Sequence, residues 1–120
     1  MKYSIDSNTG LQKAFDAMKE QRVIIARNYK CCSGCACAAL DTLMTEREKT
    51  GHSPAGAIFW HKQDNASARR DGKLYLRYDG RGDVNVKDLA RVFVGHLQAN
   101  GVKYQWDGSV NSCIVVDLQS

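Results

Sequence analysis

Four of the chain's five cysteines, Cys31, Cys32, Cys35 and Cys37, fall within seven residues. Cys32 and Cys35 have the C-x-x-C spacing that lets two thiolates hold one ion around a tight turn. A structural zinc takes four ligands. His61 is the best third, because it ends a strand expected in the same sheet, and Cys31, Cys37, His52 and Cys113 compete for the fourth place. The ligand set this suggests is Cys32, Cys35 and His61 with Cys31. Cys31 and Cys32 are adjacent and point apart, so a single ion seldom takes both.

The same spacing serves thiol chemistry. Cys32-Ser33-Gly34-Cys35 lies where an expected strand hands over to an expected helix, and a helix N-terminus there favours the thiolate. Dithiol proteins of that layout normally place a cis-proline against the first cysteine, and the single proline, Pro54, is poorly placed for it. A nucleophilic variant uses Cys32 or Cys35, with His61 as base and Asp64 orienting the ring. Asp64 lies three residues beyond His61 and reaches it if the chain turns there. The third reading is structural: cysteine suits crowded, buried junctions, and His61, Gln63 and Asp64 then only satisfy local backbone groups. The domain would in that case be a partner-binding module without chemistry.

The elements that must position these residues are legible in the pattern. Ser7-Asn8-Thr9 offers caps, and Leu11, Ala14, Phe15 and Met18 follow at helical spacing. Val23 to Ala26 is an apolar strand that delivers the chain to Cys31. From Cys35 a helix runs to a stop at Thr50-Gly51. Ala57 to His61 is a second strand, Gln63 to Arg70 a short helix or long turn, and Lys73 to Tyr78 a third strand. In it Leu74, Leu76 and Tyr78 face one way while Tyr75 and Arg77 face the other. Asp83 is a cap candidate for the stripe Val86, Leu89, Ala90, Phe93 and Leu97, which Asn100-Gly101 ends. Val102 to Trp106 and Cys113 to Asp117 close the chain as a pair of strands. The expected fold is α+β, one domain over residues 1–120, with a mostly antiparallel sheet of about five strands and helices packed on one face.

Three stretches carry a resemblance: Cys31-Cys32-Ser33-Gly34-Cys35 after a buried strand, His61-Lys62-Gln63-Asp64, and Trp106-Asp107-Gly108. In that order and spacing they resemble an uncharacterised bacterial family known only as a domain of unknown function. The resemblance runs from about Leu11 to Val116. It implies that Cys31, Cys32, Cys35, His61, Gln63, Asp64, Trp106, Asp107 and Gly108 hold the family's motif positions, and it implies no activity. Ala36 stands where the family usually has glycine, and Cys37 is an addition, so any scheme that needs Cys37 is private to this protein.

Composition sets the outer bounds. The 120 residues suit one domain, with 43% hydrophobic and 25% charged residues. No apolar run approaches the ~18 residues of a membrane span. The first residues lack the apolar stretch of a secretion signal, so a cytoplasmic location is expected. A net charge of +4 is spread along the chain with Arg69-Arg70 as its only adjacent basic pair, which argues against a nucleic-acid stripe. Arg81-Gly82-Asp83 spells an integrin-binding tripeptide and carries no weight in that setting. His96 reads as a boundary histidine, and Trp106 as a core anchor beside a turn. The leading expectation is a small zinc-binding domain serving interaction or regulation. A cysteine-dependent enzyme or redox protein stands second, and a protein partner of unspecified kind fits either.

Overall fold

The computed structural model describes residues 5–30, 33–51, 53–82, 84–110 and 112–118. Its first helix, α1 (Thr9–Glu20), begins where the Asn8 side chain accepts the Leu11 N–H at 3.0 Å. It buries Leu11, Ala14, Phe15 and Met18, the set spaced at i, i+3, i+4 and i+7. The chain then runs β1 (Val23–Ala26), α2 (Ser33–Lys49), β2 (Gly56–Phe59), α3 (Lys62–Asp71), β3 (Lys73–Gly80), α4 (Val86–Ala99), β4 (Lys103–Gln105) and β5 (Ile114–Asp117). The cap of α4 is Asn85, whose side chain accepts from the Lys87 and Asp88 N–H groups. Asp83, the residue expected to cap it, lies outside the described residues.

The five strands form one sheet in the order β1-β2-β3-β5-β4. Three neighbouring pairs are antiparallel, as expected, but β1 and β2 are parallel, with Val23 opposite Gly56 and Ala26 opposite Phe59. The reason lies in the connection: the 17 residues of α2 carry the chain back to its starting end, which a parallel neighbour requires.

Helices also occupy both faces rather than one. On the first face α1 and α4 pack with Val23, Ile58, Trp60, Leu74, Leu76, Ile114 and Val116 into the main core, which also takes Ala68 of α3. On the other, Leu40 and Met44 of α2 cover Ile24, Ala26, Ala57 and Phe59. Successive strand residues point to opposite faces. The uninterrupted apolar runs of β1 and β2 therefore demanded cover on both sides. β3 and β5 alternate instead, so α2 covers only the β1–β2 half of its face.

Candidate functional site

Two main-chain bonds build the site. The Tyr29 N–H donates to the Trp60 carbonyl at 2.7 Å, and the Lys62 N–H to the Lys30 carbonyl at 3.0 Å. They extend the parallel β1–β2 pairing beyond both strands. The segment that leads into the cysteines is thereby zipped against the turn that carries His61. Asn28 and Lys30 hold positive φ, 47° and 64°, a conformation that non-glycine residues adopt only under local constraint. It turns the chain out of the sheet toward α2.

His61 does not end β2 as a free side chain. It caps α3. Its Nδ1 accepts the Asp64 N–H at 3.3 Å, while the His61 N–H donates to Asp64 Oδ2 at 3.3 Å, a reciprocal capping box. The ring's Nε2 also lies 3.3 Å from Asp64 Oδ2. Because Nδ1 accepts, a neutral ring carries its proton on Nε2, which stands 3.3 Å from the carboxylate oxygen. Both nitrogens then stand within 3.3 Å of one aspartate. In this arrangement the ring offers no lone pair to a metal or to a substrate proton. The contact between His61 and Asp64 is the one expected from their spacing, and its consequence is to occupy the ring.

Asp64 is anchored from the other side by Arg77 of β3. Arg77 Nε donates to Oδ2 at 2.9 Å and Nη2 to Oδ1 at 3.1 Å, a two-point clamp. His61 and Asp64 are the buried polar residues of the described chain, while Arg77 is one-third exposed. The hydrogen bonds from Arg77 to Asp64 raise the guanidinium's pKa above its ordinary value, against the opposing effect of burial. Sequence reading placed Arg77 on the face opposite Leu76 but assigned it no role. Its partner lies thirteen residues earlier on another element, and no local pattern announces such a pair.

Of the cysteines, Cys31 and Cys32 lie outside the described residues, as does His52. Cys35 sits exposed in the first turn of α2, and Cys37 is exposed in the next. That first turn carries no acidic residue. Cys113 lies on the same face of the sheet. Leu76 pairs with Ile114, so the next register position sets Cys113 beside Arg77, which itself pairs with Phe59. Phe59, Arg77 and Cys113 thus make a row across three strands. Cys37 joins them in lining a shallow cleft of about 210 Å³. Burial pushes the Cys113 thiol above its ordinary range; Arg77 opposes that shift and Asp64 adds to it. Among the described residues no three His, Cys, Asp or Glu side chains stand together as a metal-binding group.

The third motif serves packing and a turn. Trp106 Nε1 donates to the Tyr78 hydroxyl at 3.0 Å and to the Ser109 carbonyl at 3.1 Å, and its ring meets Tyr78 edge-on. Asp107 accepts from the Ser109 N–H and the Ser112 hydroxyl, and Gly108 takes the positive φ of 86° that the turn needs. Gln63 is exposed. His96 is half-buried beside Gln21 Nε2, at 3.3 Å. Arg81 of the Arg-Gly-Asp tripeptide is held by Asp41, Thr45 and Glu48 of α2. No helix among the described residues is long and apolar enough to cross a membrane.

No curated protein and no solved structure matches the chain. The family expected from the three motifs is matched over residues 6–119, nearly the whole chain. A strand–helix junction bearing thiols beside a clamped His–Asp–Arg cluster is therefore a feature of a protein that belongs to the family described as Domain of unknown function (DUF6891).

Proposed function

We propose that the domain performs thiol–disulfide exchange through Cys32 and Cys35. The observation that carries this reading is the exposed Cys35 in the first turn of α2, the helix that follows β1. The positive end of the helix dipole favours a thiolate there, and no acidic side chain in that turn opposes it. In the exchange, one thiolate attacks a sulfur of an oxidised partner and displaces its first thiolate. The second cysteine loses its proton and attacks the mixed disulfide, releasing the partner's second thiolate. The domain gains one disulfide, and the partner's disulfide becomes two thiols. This chemistry needs neither nitrogen of His61. The His61–Asp64–Arg77 cluster acts as the platform that fixes the turn bonded to Tyr29 and Lys30, which lead into the cysteines.

A second reading, a zinc site formed by Cys31, Cys32, Cys35 and His61, draws support from the Lys62–Lys30 main-chain bond, which joins the residue before Cys31 to the residue after His61. Ligation by His61 would require its ring to give up one of its contacts with Asp64.

Intact mass separates the two. Protein purified without reductant and then exposed to oxidised glutathione is weighed under native and denaturing conditions. On a Cys113→Ser background, which removes the distant fifth cysteine, thiol exchange predicts no bound ion and a two-proton deficit that Cys35→Ser abolishes while the fold persists. A zinc-sized excess lost on denaturation would overturn that reading and establish the metal site. Reduced cysteines that neither exchange nor bind metal would leave them a packing role and make the domain a binding module.

A further inference from the structure

The cleft over Arg77 holds two thiols that the C-x-x-C pair does not use. Cys113 enters it from the sheet, at the register position beside Arg77. Cys37 enters it from α2. The two belong to elements 76 positions apart in sequence, and both lie within electrostatic reach of the same guanidinium. Phe59 and Val110 supply apolar walls. At about 210 Å³ the cleft is smaller than the ~300 Å³ at which pockets for drug-sized ligands begin. A short side chain or the end of a small thiol compound fits it.

We infer that Cys37 and Cys113 are a second redox pair, which closes into a disulfide tying α2 to β5 when the protein meets a low-molecular-weight disulfide. Their exposures set the order of events. Cys37 is open to solvent, whereas Cys113 is half-buried. The Cys37 thiolate attacks the small disulfide and expels one thiolate, forming a mixed disulfide. Cys113 then gives up its proton and attacks Cys37 Sγ, expelling the second thiolate. Two protein thiols are oxidised, one small disulfide is reduced to two thiols, and the protons released by the cysteines balance those taken up by the leaving thiolates. Burial holds the half-buried Cys113 thiol toward its protonated form, and the positive charge of Arg77 beside it opposes that and so favours the second step. The bond would tie the first turns of α2, which covers the β1–β2 half of this face, to the start of β5.

This inference is independent of the Cys32–Cys35 reading, and the test keeps the two apart. The full chain is treated with oxidised glutathione, quenched in acid and digested with trypsin without reduction. A peptide containing Cys113, linked to the peptide that carries Cys31 through Cys37, is expected. It should vanish in Cys37→Ser and Cys113→Ser and persist in the double variant Cys32→Ser/Cys35→Ser. The oxidised double variant should also melt at least about 5 °C above its reduced form, since the bridge closes a long loop. A linked peptide that survives Cys37→Ser would assign Cys113 to another partner and overturn the proposal. Stable glutathione on Cys37 with no linked peptide would overturn it equally.

Discussion

Asp64 carries the Arg77 clamp at 2.9 and 3.1 Å, the His61 N–H at 3.3 Å and the His61 ring at the same distance. An asparagine there keeps the shape but turns one amide N–H₂ toward donors. Breaking a buried ion pair from one side costs about 3–5 kcal/mol; because Arg77 is one-third exposed, water offsets part of that. Asp64→Asn should therefore destabilise the fold by about 2 kcal/mol, seen in urea unfolding as a lower midpoint at unchanged slope. Cys113 makes a second prediction. Burial raises its pKa in the folded state, so the folded protein holds the proton more tightly than the unfolded chain does. Stability from this group is full below the unfolded thiol's pKa, near about 8.5, and is lost as pH rises through the folded value. Tyr78, raised by the same cause, adds the same trend at higher pH. The melting temperature should fall between about pH 8 and 10, and Cys113→Ala should flatten the first part of that fall. An equal slope in both proteins would remove Cys113 as its source.

At the level of elements, β2 is the member whose geometry tolerates least. It pairs on both sides, and a Cβ at Gly56 would lie 2.3 Å from the Asp79 carbonyl oxygen and 2.7 Å from Leu89 Cδ1. Backbone on a neighbouring strand cannot swing aside as a flexible side-chain tip can. Gly56→Ala should cost about 3 kcal/mol, read by chemical denaturation. Gly72 closes α3 at φ 76°, with its N–H donating to the Ala68 carbonyl at 2.9 Å. Gly72→Ala should cost about 1 kcal/mol, the strain of a left-handed alanine. At Gly56 the cost comes from lack of space, and at Gly72 from the left-handed backbone.

Across the whole molecule the two faces of the sheet are unequal. Phe15 stacks between Trp60 and Phe93, at centroid distances of 5.5 and 5.8 Å, in a core that draws on α1, α3, α4 and all five strands or their flanks. The α2 face rests on Leu40 and Met44, with an exposed ionic contact from Arg81 to Asp41 and Glu48. Phe15→Ala should remove about 4 kcal/mol, a large part of the whole stability of a small domain. Hydrogen exchange should show α2 opening before α1 and α4, because fewer apolar groups leave water when it docks. Protection of α2 equal to that of α4 would refute this hierarchy.

The amphipathic stripes of α1 and α4, the alternation in β3 and the apolar runs of β1 and β2 were legible as sequence, because periodicity reports which side of an element meets the core. The contact between His61 and Asp64 was legible too, because three residues span one helical turn. Which strands are parallel, and that helices cover both faces, followed only from assembly. The runs in β1 and β2 carried the hint, but the direction of a strand is set by where its connection returns. The roles of Arg77 and Cys113 also came from the tertiary structure. Register alone brings β3 beside β5 and sets a guanidinium between a buried carboxylate and a thiol. Sequence determined which side chains were capable of chemistry; the fold decided that Asp64, clamped by Arg77, lies against both ring nitrogens of His61 and that Cys37 and Cys113 share a cleft, because those outcomes depend on distances between elements that no local pattern encodes.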